Sequence, residues 1–296
     1  MCRAHRGEPT CIFSPDAAEP YESNECLHPG SPGPVSVMQA ENVRHARQDD
    51  GLLIVTIDRA AKRNALDSDT LRRIGAIFAE AADDTRVKLA VLTSAGEKSF
   101  AAGGDLRELS AIRDLEGATE MSIATRGILE RIRSFPVPVV AALNGDALGG
   151  GAELALACDL RMAAAHARIG FIQARLAITT AWGGFYDLTV LVGVARALSL
   201  LCRSEMVAAE EAKTIGLVDH VAAVEHPFDV AMHEYCQPML NKPRHVLAAL
   251  KKMTQARRGG MPREQFQGLE TNLFAQCWID EAHWRAAAAA LPRRGP

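Results

Sequence analysis

The residues best placed to do chemistry lie in two glycine loops. One reads Asn144-Gly-Asp-Ala-Leu-Gly-Gly-Gly-Ala-Glu-Leu154, and the other Ser99-Phe-Ala-Ala-Gly-Gly-Asp-Leu106. In the first, three consecutive glycines (Gly149, Gly150, Gly151) stand before a run rich in Ala and Leu that reads as a helix. Glycine lets a peptide N–H approach a ligand with no Cβ in the way. A helix start adds free N–H groups and the positive end of the peptide dipole. Such a turn favours negative charge on oxygen, and a carboxylate, Glu153, sits in the first turn of the same helix. The bland alternative is that the glycines only make a turn and that Glu153 only answers the helix dipole.

These loops need strands before them and helices after them. The apolar run of residues 139–143 reads as a short buried strand ended by Asn144-Gly145. Residues 52–57 and 89–92 read as strands of the same kind. Asp67 is a capping candidate for a helix over residues 68–82, with Leu71, Ile74, Ile77, Phe78 and Ala81 at helical spacing. Residues 99–105 read as a loop leading into a helix near Leu106, and a further helix is predicted over residues 118–132. After Asp159, residues 160–163 and 169–171 read as short strands. Helices follow over 185–191, 194–201 and 208–215, the last closed by Gly216. From about residue 227 the pattern is helical only. Strand–helix alternation predicts an α/β fold with a largely parallel sheet, and the late switch predicts a separate helical subdomain or oligomerisation layer.

Composition narrows the function classes. The chain has 296 residues, 48% of them hydrophobic, and a net charge of −3 with nine His counted neutral. That suits a sizeable core and offers no broad basic field for nucleic acid. No window reaches the roughly 18 consecutive apolar residues of a membrane span. The seven cysteines form no C-x-x-C and no Cys/His cluster at metal-ligand spacing, which fits reduced thiols in a cytoplasmic protein and no metal site. Residues 1–37, rich in Pro, Gly, Glu and Cys, read as a disordered extension, and Met38 directly after them is an alternative start. Three further residues are weighed. His166 reads as a surface residue, Cys158 as buried and inert, and Asp146 as a turn former within reach of the glycine loop.

The two loops, together with Arg59-Ala-Ala-Lys-Arg-Asn-Ala-Leu66, Cys158-Asp-Leu-Arg161 and Ala209-Glu-Glu-Ala-Lys-Thr-Ile-Gly-Leu-Val218, resemble segments of the enoyl-CoA hydratase/isomerase (crotonase) superfamily, and they stand in that family's order. The resemblance implies a crotonase (ClpP/crotonase-like) fold of repeated ββα units over residues 38–225, with a C-terminal helical oligomerisation region over 226–296. It implies a homotrimer or a dimer of trimers that acts on acyl-CoA thioesters, with coenzyme A as part of the substrate and no other cofactor. Carried over by position, the N–H groups of Gly104 and Gly150 form an oxyanion hole for a thioester enolate, with Glu153 as acid/base. Lys62, Arg63, Ala65, Ala102, Asp105 and Leu106 fall in segments that line the CoA path. For Lys62 and Arg63 a phosphate partner and a solvated loop are equally open.

The chain also departs from that family. Hydratases use a second glutamate about twenty residues after the first, and Gln173 holds that position here. An amide cannot exchange a proton near neutral pH as a carboxyl does. Trp182 stands where the family commonly has a small residue, and it is expected to wall the acyl pocket or to serve as plain core. Asp187 stands where hydratases often place Arg. The segment Thr179-Thr-Ala-Trp-Gly-Gly184, with Phe171, resembles members that decarboxylate short branched malonyl-CoA derivatives such as ethylmalonyl-CoA or methylmalonyl-CoA, and the missing second acid at Gln173 suits that chemistry. Two lyase readings therefore stand, a hydratase-like enzyme and a malonyl-type decarboxylase with Glu153 as lone acid. A non-catalytic binding protein, an RNA binder among them, is a third; its only basic support is short clusters such as Arg257-Arg258 and Arg293-Arg294.

Overall fold

The strands are made where β-branched and apolar runs meet, and the computed structural model describes them for residues 42–290. The readings for residues 1–37 and for Arg293-Arg294 lie outside these residues. The chain begins with β1 (Val43–Arg47), which pairs antiparallel with β2 (Leu52–Ile57) across a short turn. Helix α1 (Ser68–Ala81) starts where expected, with Asp67 accepting from the Thr70 N–H at 2.9 Å and with Leu71, Ile74, Ile77 and Phe78 buried. Then come β3 (Leu89–Ser94), β4 (Ser99–Ala101), the single turn α2 (Leu106–Leu109) and α3 (Leu115–Arg133). The next turn is β5 (Val139–Leu143), β6 (Asp146–Leu148) and α4 (Gly150–Ala157). After it come β7 (Leu160–Ala164), β8 (Arg168–Gly170), a 3₁₀ turn over Gln173–Leu176, α5 (Gly184–Val192) and α6 (Val194–Arg203). β9 (Met206–Ala208), α7 (Ala209–Thr214) and β10 (His220–Ala222) close the mixed part. Only helices follow, α8 (Phe228–Leu240), α9 (Arg244–Arg258), α10 (Arg263–Ile279) and α11 (Glu281–Ala290).

The strands form two sheets. The larger has the order β1-β2-β3-β5-β7-β10 and is parallel except at β1. The smaller has the order β4-β6-β8-β9 and is parallel except at β9. Each central turn of the chain thus gives one strand to each sheet: β3 then β4, β5 then β6, β7 then β8. The α/β class and the crotonase-like ββα repeat are what the structure has. The second sheet is a correction to the sequence reading, which left residues 99–105 as a loop. Its strands are three residues long, too short for alternation to show.

One buried cluster fills the space between the sheets and under α1, α3 and α4, with Val55, Phe78, Leu92, Phe100, Leu129 and Leu154 among its members. A second lies on the other face of the large sheet, where Ala231, Met232, Cys236 and Leu240 of α8 cover Leu52, Leu89, Val91 and Val140. Helix α8 is therefore a layer of the core, and the helical region begins as part of the α/β structure. No helix among the described residues is long and apolar enough to cross a membrane.

Candidate active site

The small sheet sets the site. Strands β4, β6 and β8 lie side by side with Ala101 opposite Ala147 and Leu148 opposite Gly170. Their chain exits are therefore neighbours: residues 102–104, 149–150 and 171–176. The residue before each candidate donor has a positive φ, 97° at Gly103 and 52° at Gly149, which side chains other than glycine rarely accept. A Cβ built on Gly103 would lie 3.5 Å from the Gly150 nitrogen, so the two loops touch. Among the described residues neither the Gly104 N–H nor the Gly150 N–H has a protein acceptor. Both residues line one cavity of about 300 Å³, together with Ala102, Leu106, Glu153, Gln173 and Trp182.

Glu153 projects from the first turn of α4 and is 2% exposed. Its Oε2 accepts from the peptide N–H groups of Trp182 (2.8 Å) and Gly184 (2.9 Å). Its Oε1 accepts from Gln173 Nε2 at 2.9 Å and from the Ala181 N–H at 3.4 Å. The close approach requires glycine at 184, where a Cβ would fall 2.4 Å from Glu153 Cγ. Burial pushes the Glu153 carboxyl above the ordinary carboxylate range; the N–H donors of Gly184, Trp182 and Ala181 and the Gln173 amide pull the other way. An ionised carboxylate only accepts, so the amide nitrogen is the end of Gln173 that faces it. Gln173 Oε1 is then left buried with no partner among the described residues. Oε2 is held by two short backbone hydrogen bonds, whereas Oε1 has one short bond, from the Gln173 amide, and one long one, from the Ala181 N–H.

Trp182 is 5% exposed and its indole lies against both glycines. A Cβ on Gly150 would come within 2.2 Å of Trp182 Cζ3, and one on Gly104 would lie 3.7 Å from Cη2. Apolar side chains with no motif of their own complete the wall: Leu109, Met121, Ile172, Leu176 and Ile178. Sequence reasoning missed these, and only the neighbourhood of Ile172 and Leu176 to Gln173 could have pointed to any of them. Arg175 is the one cation lining the cavity, its guanidinium donating to the Ser204 carbonyl.

The remaining candidates lie beside the cavity or away from it. The Arg63 carbonyl accepts from the Ala102 N–H (3.1 Å), and Leu66 bridges Gly104, so residues 59–66 run along the glycine loop. Lys62 and Arg63 are exposed there, and among the described residues neither side chain makes a hydrogen bond or a close ion pair; the Lys62 charge acts on Asp105 from a distance. The Ala65 carbonyl accepts from Arg59, a buried guanidinium that also pairs with Asp67 (2.6 Å) and Asp105 (3.3 Å). Asp105 caps α2 through the Arg107 N–H, so its carboxylate is occupied within the fold. Asp146 is turned to Arg168 at 2.6 Å and does not line the cavity. His166 is exposed with its ring against the Glu97 carbonyl at 2.8 Å. Cys158 is fully buried, its thiol pushed up to about 12 by burial and by the charge of Asp159. Among the described residues no cluster of His, Cys, Asp or Glu could hold a metal ion.

Comparison with known proteins places this arrangement. A model of the enoyl-CoA hydratase/isomerase family matches residues 47–290. The chain is 35% identical to a short-chain-enoyl-CoA hydratase of Clostridium acetobutylicum over 243 residues, 81% of this chain and 91% of the other. It is 32% identical to a crotonyl-CoA hydratase of Syntrophomonas wolfei over 249 residues, covering 83% and 94%. The crystal structure of an enoyl-CoA hydratase from Bacillus anthracis superposes with a TM-score of 0.74 at 29% identity, over 79% of this chain and 90% of that one. The family match takes in every strand after β1 and every loop around Glu153, and the chain belongs to the enoyl-CoA hydratase/isomerase family of the crotonase superfamily.

Proposed function

We propose that this protein is a lyase that holds an acyl-CoA thioester with its carbonyl oxygen between the N–H groups of Gly104 and Gly150, and that the Glu153 carboxyl moves the proton. The observation that carries the reading is the meeting of two unpartnered peptide donors and a buried carboxyl, its proton affinity raised by burial, in one largely apolar cavity. Donors aimed at a developing enolate can supply several kcal/mol of transition-state stabilisation. In hydration, ionised Glu153 takes a proton from water as the oxygen adds to the β-carbon, and the same proton returns to the α-carbon of the enolate. Gln173 orients the carboxyl through its Nε2 donor. Lys62 and Arg63 meet CoA phosphates, and Trp182 limits the acyl group. No metal or redox group enters the scheme. The apolar side chains exposed on α10 and α11, Phe274, Trp278, Ile279 and Trp284, support assembly as a homotrimer or a dimer of trimers.

Gln173 favours a second reading, decarboxylation of methylmalonyl-CoA or ethylmalonyl-CoA. There the C–CO₂ bond breaks, its electron pair becomes the enolate, and protonated Glu153 quenches the α-carbon, so a single acid suffices. Incubation with crotonyl-CoA and, separately, with the two malonyl derivatives decides between them. Fast hydration of crotonyl-CoA without CO₂ release defeats the decarboxylase reading, and CO₂ release without hydration defeats the first. Turnover of neither, across a panel of acyl-CoA thioesters, overturns the lyase.

A further inference from the structure

The loop that supplies Glu153 with its backbone donors, residues 181–184, has a second face. There Arg133 of α3 donates to the Trp182 carbonyl at 3.0 Å and to the Asp187 carboxylate at 2.9 Å. Asp187 is 3% exposed and sits in the first turn of α5, the helix that Gly184 begins. Its other oxygen accepts from Arg258 of α9 at 2.7 Å. The same guanidinium donates to the Leu156 carbonyl at 2.9 Å, in the helix that carries Glu153, and stands 3.7 Å from Asp159 just past that helix. Arg258 therefore ties the element bearing the carboxyl to the element bearing its donors. Arg133 ties the peptide between two of those donors to the same anion.

We propose that Arg133, Asp187 and Arg258 form an ionic clamp that sets the proton affinity of Glu153 by holding the Trp182 and Gly184 N–H groups on Oε2. The inference rests on the role given to Glu153 above. The aspartate at 187, unexplained by the sequence alone, is the anion two arginines require. The clamp acts through the backbone. Among the described residues no charged side chain pairs with Glu153; Arg175, the cation in its cavity, is bound to the Ser204 carbonyl. Facing Asp187 are Arg133 and Arg258, with Glu130 at the rim 3.7 Å from Arg133. Facing Asp159 are Lys251 at 2.5 Å and Arg258. A donor pulled off Oε2 disfavours the ionised carboxyl, so loosening the clamp must raise the Glu153 midpoint.

The test is a pH titration of Trp182 fluorescence in a Trp278→Phe, Trp284→Phe background, since the Trp182 N–H binds Glu153 and its ring lines the cavity. Asp187→Asn and Arg133→Met should each raise the midpoint by about one pH unit, the size expected for loss of one hydrogen bond to a charge. The acidic limb of the kcat profile should move with it while KM stays within about twofold. Arg133→Lys, which keeps the cation but loses the two-pronged reach, should shift it less, and it carries the test if Asp187→Asn does not fold. A wild-type midpoint in a folded variant overturns the clamp. The titration needs no substrate. A shifted midpoint in a protein that turns over no acyl-CoA would refute the lyase and leave the clamp standing; normal turnover with an unshifted midpoint would do the reverse.

Discussion

The two faces of the 181–184 loop are built from opposite chemistries. The front is a cavity of apolar side chains around one carboxyl, and that carboxyl is held by peptide N–H groups and an amide. The back is a run of full charges, Arg133, Asp187, Arg258, Asp159 and Lys251, all largely buried. A cation paired with Glu153 would hold it ionised and take away its use as an acid, and the cation on the front, Arg175, is bound to the Ser204 carbonyl instead. Placed behind the backbone, the same charges fix the loop without neutralising the group it serves. Charge distance, here, separates scaffolding from chemistry.

The sharpest way to break this comparison is Glu153→Gln. It should cut turnover of whichever thioester is accepted by about 10²–10⁴-fold, the usual contribution of a general acid or base, while circular dichroism stays native. Intact turnover would remove the front face from the mechanism. At the back, Lys251→Met leaves Asp159 buried without its main partner and should cost about 3–5 kcal/mol in denaturant unfolding. A loss under about 1 kcal/mol would show the charges there to be solvated. Trp182→Ala should move the preferred acyl chain to longer lengths, with kcat/KM ratios shifting roughly tenfold per added pair of methylenes accommodated. An unchanged chain-length profile would return Trp182 to plain core.

The smallest effect concerns stability and pH. Folded Glu153 keeps its proton to a higher pH than unfolded Glu153, so the folded state binds more protons in the window between the two midpoints. Stability must therefore fall as pH rises through that window, by about 1.4 kcal/mol for each unit separating them. Melting curves of wild type and Glu153→Gln should diverge in that direction from the ordinary carboxylate midpoint upward. A gap that stays constant with pH would mean the N–H donors offset burial completely.

Much of the large sheet was legible because its strands are continuous apolar runs of five or six residues between turn signals, and α1 because Asp67 caps a regular apolar stripe. The strands β4, β6 and β9 were not, since three residues carry no period. Glu153 and the glycines were legible as a local pattern. The partners of Glu153 were not: Ala181, Trp182 and Gly184 act through peptide N–H groups, which every residue type but proline has. Arg133 and Arg258 gave no signal either, because a buried arginine and an exposed one look alike until the fold places them.

What the amino-acid sequence determined by itself was the set of groups: two glycine pairs that can take positive φ, one carboxyl in a first helical turn, an amide where a second acid was expected, and an aspartate in place of an arginine. The first two follow from residue type and near spacing, and the last two from setting the chain beside the family it resembles. What only the tertiary structure decided was their relation. Parallel pairing of three short strands brought three loops to one cavity, and burial raised the proton affinity of the carboxyl within it. Helix α9, more than seventy residues further along the chain, closed the ionic clamp behind. Such contacts depend on distances between segments far apart in the chain, and no local pattern encodes them.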